Sequence, residues 1–384
     1  MFCNMVSIFC PRGVCQNAGG PAGYVFNLRA GLDSVGSDCV VIAPDSTPKS
    51  GTSPKRSSAH FPELRSIAYF FKVGFKIKTG FKNAEFSELV HVHSVSDVFY
   101  LRAMMGYRGK VLLTPHCPEE TWHEKVDALN SSQKSTKNRF LMKALYVFVE
   151  KYAYDHVDGF VFPNSSAREI YLTFPGFARN ASKPTRYVTT GCFDRRTACT
   201  KEELRRKFSL QTDDYIVAYI GRHNRVKGYD ILVDAFSLFD SGAVRVICAG
   251  ALGEIEPPES NFWTELGYID NANELMEVCD VLAVPNRSAY FDLVIVEALS
   301  HGTIVITTAV GGTNDIANKS EGIVCMDEIT ASALAEKISE IRKMPKCDLD
   351  RMKKSNRRLY EEQCSLESFA TNYIREASSL ETEL

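Results

Sequence analysis

Short apolar runs alternate with stretches whose apolar residues recur at helical spacing, along the whole chain. In the first half the runs fall at 39–43, 89–93, 109–114 and 159–163. Each is too short for a helix and is bounded by polar or turn-forming residues, which predicts strands. The opening MFCNMVSIFCPRG predicts a further strand, and 137–156 predicts a helix. From residue 213 the rhythm restarts with strand DYIVAYIG, helix YDILVDAFSLF, strand VRVICAG, helix NANELMEV and strand DVLAVPN. A helix around Glu297, strands TIVITTAV and GIVCM, and helix ITASALAEKISEI follow. This alternation predicts an α/β fold with parallel sheets. The segment 44–58, rich in Ser, Pro, Lys and Gly, predicts a surface loop. No short internal repeat is visible.

A chain of 384 residues is long for one core and predicts two domains. The polar stretch 187–211 is the natural boundary, since it holds Gly191 and leads into a new helix, KEELRRKF. Two doubly wound domains carry ligands at the carboxyl ends of their strands. Hydrophobic content of 45% and charged content of 24% are those of a soluble globular protein. A net charge of -2 supplies no global attraction to nucleic acid, which is not an expected partner. No apolar run reaches bilayer-spanning length, and the start lacks the basic region and apolar core of a signal peptide. Twelve cysteines are scattered with no C-x-x-C pair, and Cys248 and Cys325 sit inside apolar runs. Reduced cytosolic thiols fit this pattern better than a zinc site or a disulfide framework.

Candidate chemistry clusters at strand ends. Gly221-Arg222-His223-Asn224-Arg225-Val226-Lys227-Gly228 lies between a predicted strand and a predicted helix. Strand, glycine-flanked loop and helix present backbone amides to an anion, Arg222 adds a bidentate donor and Lys227 a mobile charge. The alternative is a solvated basic turn. Glu297 stands among Val294, Ile295, Ala298 and Leu299 in an apolar helix. A carboxylate there needs a partner, so it is a core salt bridge, a cap, or a ligand for hydroxyls. Gly311-Gly312 follows a strand and permits close approach to a ligand, or is only a tight turn. Gly19-Gly20-Pro21-Ala22-Gly23 precedes the helix-like YVFNLRAGL. His116 ends a strand in Thr114-Pro115-His116, while His91 and His93 alternate along another. For His93 a satisfied structural role is the expectation, for His116 an active-site contact.

The stretch PNRSAYFDLVIVEALSHGTIVITTAVGG, with the loop at 221–228, resembles the donor site of family 4 glycosyltransferases (glycosyl transferases group 1), retaining enzymes of the GT-B type. The resemblance runs from Gly19 to about Ile341. Glu297 matches the second Glu of the family's Glu-x7-Glu pair, followed by Ala298, Leu299, Ser300 and Gly302. Ala289 stands at the first Glu, Asp292 at a usual glycine, and Thr190-Gly191 where Asn-Gly is common. The resemblance implies two doubly wound Rossmann-like domains facing a central cleft. It places an N-terminal acceptor domain at 1–190, a C-terminal nucleotide-sugar donor domain at 191–365, and a helix at 366–384 crossing back onto the first domain. It implies Arg222, Lys227, His116 and Glu297 in catalysis. Gly19, Gly20, Gly221, Arg222, Lys227, Asp292, Leu293, Val294, Glu297, Gly311 and Gly312 would bind the donor. Asp292 would stand in for a contact of the absent Glu. No cofactor or metal is expected, and the donor would be a UDP-sugar or GDP-sugar.

The acceptor expected is a glycan or a lipid-linked saccharide, in bacterial surface polysaccharide or lipopolysaccharide biosynthesis. The expected place is the cytoplasm, with peripheral attachment at the inner face of the cytoplasmic membrane. YFFKVGFKIKTGFK, opening on Tyr69 and closing on Lys82, interleaves Phe70, Phe71, Phe75 and Phe81 with Lys72, Lys76 and Lys78. Such a stretch lies on an anionic membrane surface, or is an ordinary helix with a buried aromatic side. Two rival functions remain open: a non-catalytic GT-B-like partner subunit, and a nucleotide-sugar epimerase or glycosyl phosphorylase of the same fold.

Overall fold

The computed structural model describes residues 6–15, 20–44, 62–133, 139–211, 213–269 and 272–383. Most of the loop expected at 44–58 lies outside them, as does Gly19. The chain divides into two compact units. Unit 1 comprises Met1–Pro163, Arg168–Val188 and Ala370–Leu384; unit 2 comprises Asn164–Ala167 and Thr189–Phe369.

Unit 1 is built on six parallel strands: β1 Ser7–Phe9, β2 Val40–Ile42, β3 Leu89–Val92, β4 Lys110–Leu113, β5 Gly159–Phe162 and β6 Thr185–Tyr187. They lie in the order β2-β1-β3-β4-β5-β6. Ile8 pairs with Val41 on one side and His91 on the other. The central strands are mostly apolar, as a parallel sheet covered on both faces requires, with Ser7 and His91 their buried polar residues. Val90, Val92, Leu112, Leu113, Phe160 and Phe162 are all buried. Helix Gly20–Ser34 turns Tyr24, Val25, Leu28 and Leu32 inward, a single helical stripe.

Helix Leu366–Glu383 buries Phe369, Ala370, Tyr373, Ala377 and Leu380, again one stripe. From Ala370 it belongs to unit 1. There the Tyr373 hydroxyl lies 2.9 Å from His91 Nδ1. His91 Nε2 lies 2.9 Å from Thr114 Oγ1, whose own proton goes to the Val161 carbonyl. Thr114 therefore accepts from His91 Nε2–H, and a neutral His91 receives the Tyr373 proton at Nδ1.

Unit 2 repeats the architecture with β7 Ile216–Ile220, β8 Arg245–Ala249, β9 Trp263–Glu265, β10 Val281–Val284, β11 Ile304–Thr307 and β12 Ile323–Cys325. The order is β12-β11-β10-β7-β8-β9, all parallel. Residues of β7 alternate between two cores. Ile216 and Ala218 pack with Leu282, Ile295 and Leu299 on one face. Val217 and Tyr219 pack with Ala283, Leu232 and Leu334 on the other. The winding direction reverses between β7 and β10, so the loops leaving their carboxyl ends diverge there.

Tyr373→Phe should leave buried His91 Nδ1 without its donor and cost about 1–3 kcal/mol in denaturant unfolding. An unchanged midpoint would show that the helix docks without that bond.

Candidate functional site

Three consecutive strand ends of unit 2, those of β7, β10 and β11, supply the candidate site. The loop 221–228 leaves β7. Gly221 donates to the Ala249 carbonyl at 2.9 Å. The Tyr219 hydroxyl, coming up from the strand, lies 2.8 Å from the Arg222 carbonyl and 3.3 Å from that of Lys227, and so clasps both ends of the loop. Asn224 Oδ1 accepts from the Lys227 amide at 2.9 Å. Gly228 closes the loop at φ 66° and caps helix Tyr229–Phe236. A Cβ at Gly228 would lie 1.9 Å from the Pro285 carbonyl oxygen, which restricts the position to glycine on two grounds.

The segment after β10 is stitched to this loop. Arg287 donates its amide to the Val226 carbonyl at 2.9 Å, and its guanidinium holds both oxygens of Asp230 at 2.7 and 2.8 Å. Lys227 Nζ reaches Asp292 Oδ1 at 2.5 Å, and Asn286 Nδ2 donates to the other Asp292 oxygen. Arg222, by contrast, is exposed and makes no side-chain hydrogen bond or ion pair among the described residues. The site thus offers Lys227 and Arg287, already engaged, and Arg222, exposed to meet an anion.

Asp292 precedes helix Leu293–His301, whose first residues Leu293 and Val294 are half-buried. The leading amides of a helix have no intrahelical acceptor, which favours an anion there. Glu297 lies one turn on, with Arg195 Nη1 at 3.7 Å from Oε1. Burial pushes the Glu297 carboxyl above its ordinary value, with Arg195 and His301 pulling it back. After β11, Gly311 takes φ 52° and Gly312 donates to the Tyr290 carbonyl at 2.9 Å. Asn164 Nδ2 donates to the Gly312 carbonyl at 2.7 Å. Ser166 Oγ and Ser165 Oγ hold Asp315, in the helix that follows, at 2.8 and 3.0 Å.

Gly221, Arg222, Lys227, Asp292, Leu293, Val294, Glu297, Gly311 and Gly312 therefore share one end of one sheet. His116 and Gly20 belong to unit 1. Gly20 opens its helix at φ 66°. His116 takes φ 59°, rare for a residue with a Cβ. Its Nε2 lies 3.1 Å from His93 Nδ1, and Tyr24 packs on both rings. Burial pushes His91 and His116 down to about 3, and His93 well below its ordinary value, so all three are neutral near pH 7. His93 is not the satisfied core histidine expected: its Nε2 is buried without a hydrogen-bond partner. Glu119, His123 and Asp127 bring ligand atoms within 4.8 Å of one another, but His123 and Asp127 are exposed on one helix face.

Sequence reading missed Arg195, Asn286, Arg287 and Tyr219. The first three have no local period that would mark them. Tyr219 reads as strand core, and only its hydroxyl contacts betray the loop clasp.

A family model described as glycosyl transferases group 1 matches residues 214–343, and one described as glycosyltransferase family 4 matches 18–182. The chain belongs to the group 1, or family 4, glycosyl transferases. An uncharacterized 41.2 kDa protein in the cps region of Klebsiella pneumoniae is 24% identical over 62% of this chain and 64% of its own. The match thus spans less than two thirds of that relative. Among solved structures, sucrose-phosphate synthase from Thermosynechococcus elongatus superposes with a TM-score of 0.73 at 19% identity, covering 99% of each chain. Anabaena HepE in complex with UDP-glucose superposes with a TM-score of 0.65 at 14% identity, over 98% of this chain and 100% of that one. The fold is GT-B.

A carboxyl held above its ordinary 4.5 binds its proton more tightly folded than unfolded, so Glu297 lowers stability as pH rises past that value. Arg195→Ala removes the largest offsetting charge. Its penalty should grow between pH 5 and pH 8, to about 1 kcal/mol, and vanish in a Glu297→Gln background. Equal penalties at both pH values, read from urea melts, would show that Arg195 does not serve Glu297.

Proposed function

We propose that this chain transfers a sugar, with retention, from a nucleotide-diphosphate sugar to a glycan or lipid-linked acceptor. The observation that carries the reading is the union of three loops at the switch point of the second sheet, with Arg222 exposed and Lys227 poised beside it. As the bond from sugar to diphosphate breaks, negative charge builds on the leaving group. Arg222, Lys227 and the amides after β7, β10 and β11 would meet that charge without rearrangement, which is electrostatic preorganisation and uses no metal. An ammonium has three protons, so Lys227 can hold Asp292 and a phosphate oxygen together. Asp292 replaces a contact of the Glu absent at Ala289, and Glu297 holds the ribose. His116, in unit 1, is the remaining catalytic candidate.

A UDP-sugar is the favoured donor, in keeping with the UDP-glucose complex of HepE. A GDP-sugar stays within the reading. Surface polysaccharide or lipopolysaccharide assembly is the proposed setting, in keeping with the Klebsiella relative in a cps region. Ala289 favours one rival, a non-catalytic subunit of the same fold. Thermal melts with UDP-, GDP-, ADP- and CDP-sugars separate them. Binding at a hundredfold excess over Kd should stabilise by about 2.7 kcal/mol, and Arg222→Ala/Lys227→Ala should abolish the shift. Acceptor-dependent release of nucleoside diphosphate would then exclude the non-catalytic, epimerase and phosphorylase readings. No shift with any sugar nucleotide would favour the non-catalytic one.

The proposed lipid-linked acceptor draws support from unit 1. Helix Pro62–Gly80 buries Phe70 but exposes Tyr69, Phe71 and Phe75 beside Lys72, Lys76 and Lys78. Helix Phe140–His156 packs against it and exposes Phe140, Leu141 and Phe148. No helix among the described residues is long and apolar enough to cross a membrane. Apolar rings amid lysines suit the headgroup boundary of an anionic bilayer, at the inner face of the cytoplasmic membrane. The chain should co-sediment with phosphatidylglycerol vesicles, and Tyr69→Ser/Phe75→Ser should weaken this several-fold. Failure of the unaltered chain to co-sediment would remove the membrane from the reading.

A further inference from the structure

Beneath the loop 221–228 lies a pair of groups that the reading above leaves unused. His223 is wholly buried, and its ring stacks flat on Tyr229, with centroids 4.0 Å apart and planes 2° from parallel. Its Nε2 faces Glu265 Oε2 at 3.5 Å. Neither ring nitrogen, nor that carboxylate oxygen, has a hydrogen-bond partner. The other oxygen, Oε1, accepts from Trp263 Nε1 at 2.6 Å and from the Tyr229 hydroxyl. The backbone of His223 is held as well: its amide donates to the Ala251 carbonyl at 3.1 Å. A Cβ on Gly253 would lie 2.0 Å from the His223 carbonyl oxygen. Imidazole and carboxylate are therefore braced face to face, one short step from a bond.

A neutral imidazole has one N–H and one bare nitrogen, while the protonated ring has two N–H groups. Protonation puts a hydrogen on Nε2 whichever tautomer the free ring holds, and lets the 3.5 Å gap close to a hydrogen bond between two opposite charges, shorter and stronger than a neutral one. A diphosphate on the loop above brings negative charge close to the ring, and a nearby opposite charge favours the charged form. We propose that His223 and Glu265 are a positioning pair for the diphosphate loop. Docking of a diphosphate draws a proton from solvent onto His223, which closes on Glu265 and locks the loop carrying Arg222 and Lys227. This rests on the reading of 221–228 as the diphosphate loop.

The groups around the pair leave His223 as the one that changes charge. Burial holds Tyr219, Tyr229 and Cys248 above their ordinary values, so they keep their protons near neutrality. Arg222, Asp230 and Asp292 act on Tyr219. Residues 250–253 contribute no ionisable side chain. In the free chain burial holds His223 below its ordinary 6.5, although Glu265 pulls the other way. The free ring is then neutral at pH 7, and a ligand that favours the protonated ring binds more tightly as pH falls.

The test is calorimetry of the intact chain with UDP-glucose, GDP-mannose and ADP-glucose, whose phosphates do not titrate between pH 6 and 8. Buffers of different ionisation enthalpy report protons taken up on binding. We expect binding at least about threefold tighter at pH 6 than at pH 8, with net proton uptake. The slope should be lost in His223→Gln and in Glu265→Gln. The proton count on the unaltered chain needs no variant and stays decisive if either one misfolds. Binding without slope or uptake overturns the pair alone. A slope that persists in both folded variants assigns it elsewhere and also overturns the pair. No binding of any of the three overturns it together with the diphosphate-loop reading.

Discussion

Where β7 lies between β10 and β8, the loops leaving these three strands share one small space, and backbone rather than side chains fills it. The Gly228 Cα lies against the Pro285 carbonyl, Gly250 against Gly221, and Gly253 against the carbonyl of His223. At each of these contacts a Cβ would lie within about 2 Å of a backbone oxygen, closer than any side chain tolerates. The rest of the site depends on this packing. It lets Tyr219 reach the carbonyls at both ends of the loop, and it brings Lys227 within reach of Asp292. Rigid, crowded backbone is what allows a loop to hold charged groups in place before a ligand arrives.

The charges are arranged asymmetrically on that frame. Arg287 and Asp230, Lys227 and Asp292, and Arg195 and Glu297 are paired, while Arg222 is exposed. Pairing keeps the partly buried groups charged at a tolerable cost, and the exposed guanidinium keeps its hydration until something displaces it. Asp292, like Ala289 and Thr190, departs from the family pattern. A carboxylate in place of a glycine gives Lys227 a partner within the chain. Unit 1 uses the opposite device. Burial keeps His91, His93 and His116 neutral, so they act as hydrogen-bonding groups there.

The alternation of short apolar runs with amphipathic stretches marked most strands and helices of both units, but not the short edge strands β6 and β9 or the polar helix Lys346–Leu359. Burial on two faces makes a parallel strand apolar throughout, and burial on one face gives a helix its stripe. The loop 221–228 was equally legible, because a glycine-flanked basic turn between strand and helix is a local pattern. So was Glu297, a lone carboxylate in an apolar helix. What these residues touch was not legible. Arg195 meets Glu297 and Arg287 meets Asp230 across long separations in the chain, and only the tertiary fold brings them together.

The sequence by itself determined the α/β class, the two repeats of the pattern and the residue types at the strand ends, since each depends on neighbours a few positions away. Tertiary structure alone decided the partners. Asp292 became the mate of Lys227 because β7 and β10 are adjacent at the reversal of winding. His223 came to face Glu265 because β8 lies between β7 and β9, which sets the distance between their ends. His93 met His116 because β3 and β4 are adjacent and in register. Contacts of this kind follow from sheet order and close packing, which no single stretch of chain encodes.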